Sequence, residues 1–135
     1  MHSYTVELRI IGENLDPDSV TRTLGISPTQ VRRKGERRSD ESTWKSNMWA
    51  LDVLPAGGSE WGSLEDGLAA LVSRVKPIQS QVQSYLPANE LYVWCGHFTS
   101  DFDGGPTLSP NILKSLGDLG AQLFLDTYCE SAVQR

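Results

Sequence analysis

Five cations crowd into one short stretch of this chain: Arg32, Arg33, Lys34, Arg37 and Arg38. They are five of its 12 Lys and Arg residues, on a 135-residue chain of net charge -5, so the rest of the molecule is more acidic still. Guanidinium groups pair with carboxylate or phosphate through two parallel hydrogen bonds, so this cluster reads as a seat for an anion. Arg32, Lys34 and Arg37 are the expected contact residues, with the Ser27 and Thr29 hydroxyls as extra donors. Gly35 would let a backbone approach closely. Trp44 stands in polar surroundings, where an indole can stack on a base or anchor a partner. The competing reading is a solvated loop whose charges are neutralised by Glu36, Asp40 and Glu41.

A second candidate is Asp126, which alternation places on one strand face with Phe124 and Tyr128. A carboxylate among apolar neighbours must be paired, hydrogen-bonded or exposed. Either an ion pair, with Arg9 for example, or a ligand-facing acid in a sheet pocket fits. Cys95 and His97, two apart on a strand, share a face and with Cys129 form part of a zinc set. The paired ligand spacing of metal sites is missing, and no third group is in view to orient a Cys–His nucleophile pair. Asp101-Phe102-Asp103-Gly104-Gly105 lacks the later acidic ligands of a calcium loop and reads as a turn. No Gly-rich phosphate loop and no Ser–His–Asp order is present. No catalytic residue, metal or cofactor is therefore expected.

Composition narrows the class. Hydrophobic residues make up 39% and charged residues 21%, as in globular proteins, and the length suits one domain over residues 1–135. No apolar run approaches the roughly 20 residues needed to span a bilayer. Met1-His2-Ser3-Tyr4 leads straight into strand sequence rather than a signal peptide, so a cytoplasmic location is expected, with Cys95 and Cys129 as free thiols. The net negative charge argues against nucleic acid.

Elements to position these groups follow from periodicity. Residues 4–11 alternate, with Tyr4, Val6, Leu8 and Ile10 on one face and Thr5, Glu7 and Arg9 on the other. Asp16-Pro17 starts a two-turn helix that Gly25 ends. Residues 29–34 suit a strand, 35–46 a mobile loop, and 47–54 a strand with Trp49, Leu51 and Val53 inward. Trp61, Leu64, Leu68, Leu71, Val72 and Val75 recur at helical steps until Pro77 kinks the helix, and a second piece ends before Pro87. Residues 90–99 are an aromatic-rich strand, and Ser109-Pro110 opens a helix with Leu113, Leu116 and Leu119 on one face, stopped by Gly120. Residues 121–128 close the chain as a strand. The order predicts an α+β fold: a mainly antiparallel, twisted sheet of about five strands with helices on one face, with a ferredoxin-like core plus an added helix and strand as one topology. Leu24, Trp49, Leu68, Leu71, Val93 and Leu123 are expected in one core.

The opening strand, Leu15-Asp16-Pro17, Leu24-Gly25-Ile26-Ser27-Pro28-Thr29, Lys34-Gly35-Glu36, the strand with Trp49, and Leu119-Gly120-Ala121 leading to Leu125-Asp126-Thr127-Tyr128 together resemble the bacterial domain-of-unknown-function family DUF4279. The resemblance spans nearly the whole chain. It implies a small stand-alone bacterial domain and carries over no catalytic or ligand residues. The expected function is a non-enzymatic protein-binding or accessory module of the immunity type, suited by its acidity to a basic or mixed-charge partner. The alternatives are a sensor of a small anionic ligand or nucleotide, and an enzyme.

Overall fold

The chain runs β1 (His2–Gly12), α1 (Pro17–Leu24), β2 (Gln30–Arg32), a hairpin of β3 (Arg37–Ser39) and β4 (Ser42–Thr43), then β5 (Asn47–Val53). It continues as α2 (Leu64–Val75), a 3-10 turn (Lys76–Ile78), α3 (Gln79–Gln83), β6 (Glu90–Thr99), α4 (Pro110–Leu119) and β7 (Gln122–Cys129). This computed structural model describes residues 1–101 and 103–130; Phe102, in the Asp101–Gly105 loop, lies outside the described residues. β1 is the central strand of a five-stranded sheet ordered β2-β5-β1-β6-β7. Its pairings are antiparallel except β6 with β7, which run parallel across the α4 connection. The fold is α+β, a mostly antiparallel sheet with a separate two-stranded hairpin.

Local chemistry sets the helix ends. The Asp16 side chain accepts from the Asp18 amide at 3.0 Å, Pro17 fills the first turn, and Gly25 turns out at φ 69°. Ser109 caps α4 through the Ile112 amide at 3.2 Å, and Gly120 ends it at φ 83°. At Pro77 the α-helix gives way to the 3-10 turn, as the missing amide demands.

One sheet face is the core. Tyr4, Val6, Leu8 and Ile10 meet Trp49, Leu51 and Val53 from β5, Leu91, Val93 and Cys95 from β6, and Val20, Leu24, Leu68, Leu71, Ile112 and Leu116 from the helices. Fully burying one such aliphatic side chain contributes about 1.5–3 kcal/mol.

Four expectations are corrected. Leu123 is not in the core: opposite Val93 it points to the helix side but is 40% exposed, because β7 is an edge strand and alternation cannot distinguish edge from centre. Leu113 is exposed, and Ile112, one residue round the helix, faces inward with Leu116 and Leu119. Residues 35–46 hold the β3–β4 hairpin rather than an unstructured loop. Trp61 precedes α2; its backbone exchanges hydrogen bonds with Tyr4 at 2.8 and 2.7 Å, and its indole N–H donates to the Val53 carbonyl.

Candidate functional site

Among the described residues, no helix covers the second sheet face. Period-two alternation projects onto it Arg32 from β2, Met48, Ala50 and Asp52 from β5, and Glu7 and Arg9 from β1. β6 adds Tyr92, Trp94 and Phe98, and β7 adds Phe124, Asp126 and Tyr128. Cross-strand register aligns Asp52, Glu7, Trp94 and Phe124 in one row, and Ala50, Arg9 and Tyr92 in the next.

The basic segment sits at the β2 end of this face, and three of its five cations are already paired. Arg33 pairs with Asp18 at 3.2 Å, Lys34 with Glu13 at 2.6 Å, and Arg37 with Asp40 at 3.7 Å. Glu13 is held below the usual carboxylate range by its Lys34 hydrogen bond and charge. Arg32 and Arg38 have no ion-pair partner among the described residues. Both guanidinium groups lie on the Trp44 indole, at 4.0 and 5.0 Å from the ring centroid. The Arg32 Nε is enclosed and lacks an acceptor. Burial, and then the charges of Arg9 and Arg38, push the Arg32 guanidinium below its ordinary range, while Glu7 opposes them. Arg9, Arg32 and Arg38 thus lie close enough for their charges to repel, with Glu7 partly offsetting them at Arg32.

Glu7 is 5% exposed and ion-paired to Arg9 Nε. Burial pushes its carboxyl up; the Arg9 hydrogen bond opposes this and the neighbouring Asp52 reinforces it. Arg9 also lies over the Trp94 ring at 4.5 Å, giving the face a second arginine–tryptophan stack. Beside it Arg9, Ile11, Glu90, Tyr92, Trp94 and Phe124 line an open groove of about 340 Å³.

The remaining sequence candidates fall into structural roles. Thr29 spends its hydroxyl on β5: it accepts from the Asp52 amide at 2.8 Å and reaches the Ala50 carbonyl at 3.3 Å. Gly35 stands at φ 89° in the turn that sends the chain from β2 into the hairpin, a conformation costly for other residues. Lys34 and Arg37 are paired, as above. Asp126 is on the open face but four strand spacings, at least about 19 Å, from Arg32. Its carboxylate accepts from the Tyr128 hydroxyl at 2.6 Å, and it makes no ion pair with Arg9. Trp44 is half-buried, with the Arg32 and Arg38 guanidinium groups over its ring.

Cys95 and His97 do share a face, the core one. Burial raises the Cys95 thiol to about 12, which suits neither a metal ligand nor a nucleophile. His97 belongs to a hydrogen-bonded chain. A carbonyl can only accept, so His2 Nε2 donates to the Asp103 oxygen at 2.9 Å. His97 Nε2 shares a hydrogen bond with His2 Nδ1 at 2.8 Å, and His97 Nδ1 one with the Thr127 hydroxyl at 3.1 Å. Burial, and then the nearby His2, push the His97 imidazole below its ordinary value.

Sequence reading placed Arg38 in the basic cluster without singling it out, and missed Glu7, Arg9, Asp52, Trp94 and Phe124 as site residues. The legible signal was β6 itself, with Leu91, Val93 and Cys95 alternating against Tyr92, Trp94 and Phe98. A strand rich in apolar side chains on both faces has two faces to cover.

The family model for a domain of unknown function, DUF4279, matches residues 2–130. The chain belongs to this family. No curated protein and no solved structure matches it. In this DUF4279 protein, the arginine–tryptophan face combines partly exposed aromatic side chains with cations that have no ion-pair partner among the described residues.

Proposed function

We propose that the protein is a non-enzymatic, cytoplasmic binding module of the immunity or accessory type, and that Arg32, Arg38 and Trp44 receive an acidic patch of a mixed-charge partner protein. The observation that carries this reading is the pair of guanidinium groups, Arg32 and Arg38, stacked on Trp44 with no ion-pair partner among the described residues, where the other cations of the segment are internally paired. A carboxylate placed there would gain charge-assisted hydrogen bonds and relieve repulsion among three arginines.

Immobilised protein should capture a defined partner from a lysate of the source cell, with capture weakening as salt screens exposed charge within about 10 Å at 0.1 M. Arg38→Ala and Trp44→Ala should lose that partner at an unchanged melting temperature. Capture indifferent to salt and to both substitutions rejects the reading.

A second reading rests on the groove beside Arg9 and Trp94, whose size and aromatic wall suit a small planar anion. Thermal stabilisation by such a compound, abolished in Trp94→Ala and kept in Arg38→Ala, would favour it over a protein partner.

A further inference from the structure

The two edges of the five-stranded sheet are finished differently. The β2 edge is three residues long, carries Arg32 and leads into the hairpin. The β7 edge is eight residues, Gln122–Cys129, with no Pro, Lys or Arg and no break in its register with β6. It therefore lacks the devices that keep an open strand from pairing. Its side chains are apolar and exposed on both faces: Leu123 at 40% and Leu125 at 37% on the helix side, Phe124 at 50% and Tyr128 at 49% on the other. Such a strand has the composition of a central strand, not a terminal one.

We propose that β7 pairs with β7 of a second copy of this chain, antiparallel about a two-fold axis, so that one sheet runs through both copies. Charge pattern favours a copy of itself over another protein. The strand's one acidic or basic side chain is Asp126, so it offers almost nothing with which to select a different partner, and interfaces between identical chains are the more apolar class. The pattern also selects the register. Centring the axis on Asp126 would face two carboxylates, and centring it on Leu125 would press each carboxylate against a Phe124 ring. Centring it on Phe124 faces the two Phe124 rings, pairs Leu123 with Leu125 twice on the helix side, and sets Asp126 opposite the amide of Gln122. No like charges then meet. This surface is four strands from Arg32, so it stands or falls separately from the proposed partner site.

Sedimentation equilibrium of the full chain from roughly 1 to 500 μM, the range of a small interface, should give a mass rising towards twice that of the chain. Phe124→Lys sets two cations face to face on the axis and should weaken association by about tenfold or more. In a Cys129→Ser background, Phe124→Cys should cross-link on oxidation, because a residue on the axis faces its own copy at about 4.5–5.5 Å between Cβ atoms; Asp126→Cys should not. A monomer at every concentration, a dimer that survives Phe124→Lys at unchanged strength, or preferential cross-linking at position 126 would each overturn the proposal.

Discussion

Truncating Leu71 and Leu123 separately to Ala tests the packing most directly, because the same chemistry is removed from two different places. Leu71 on α2 is wholly buried between helix and sheet. Its loss removes three carbon groups at about 0.8 kcal/mol each, roughly 2.4 kcal/mol of transfer energy. If the walls hold, the cavity left adds about 1–2 kcal/mol at about 24 cal/mol per Å³. The expected cost is therefore about 3–4.5 kcal/mol, a large part of the 5–15 kcal/mol typical of such a domain. Leu123 is 40% exposed on an edge strand, so about three-fifths of the transfer energy is at stake and no closed cavity forms. Its expected cost is about 1–1.5 kcal/mol. Urea unfolding followed by tryptophan fluorescence, at protein concentrations low enough to keep the chain monomeric, reads both. With a slope near 1.5–2 kcal/mol/M, the Leu71→Ala midpoint should fall by roughly 2 M and the Leu123→Ala midpoint by less than about 1 M, with the slope unchanged. Equal shifts, or a Leu71→Ala cost below about 0.5 kcal/mol, would mean that α2 does not cover the sheet as described.

Two further outcomes follow from perturbed ionisations. The Glu7 carboxyl is raised in the fold, chiefly by burial, so its protonated form adds stability below its unfolded value of 4.5, and that stability is lost as pH rises through the folded value. Glu7→Gln removes this dependence; its stability relative to the parent should improve from pH 4.5 to pH 7, and a flat difference in urea midpoints would show that Glu7 is not desolvated. Cys95 is wholly buried with its thiol raised to about 12, whereas Cys129 is partly exposed, so a thiol reagent should titrate one group in the native protein and two in denaturant. Two groups reacting at one rate in the native state would contradict the buried position of Cys95.

The sequence alone determined what is set within a few residues. Asp16-Pro17 and Ser109-Pro110 started helices and Gly25 and Gly120 ended them, because a side-chain acceptor, a fixed φ and a positive φ act locally on the backbone. Alternation in β1, β5 and β6 assigned each residue to a face, since successive strand side chains point to opposite sides. It could not say which strand would be central. Only the strand order put β7 at an edge, so Leu123 was misplaced in the core although its facing was right. The candidate site divided along the same line. The cluster Arg32–Arg38 and the aromatic Trp44 were visible as residue types. Which cations were free was decided in space, by Asp18 and Glu13 arriving from distant sequence to pair Arg33 and Lys34. Arg9 and Glu7 entered the site because β1 lies two strands from β2, a proximity created by pairing across the whole sheet rather than by neighbouring residues.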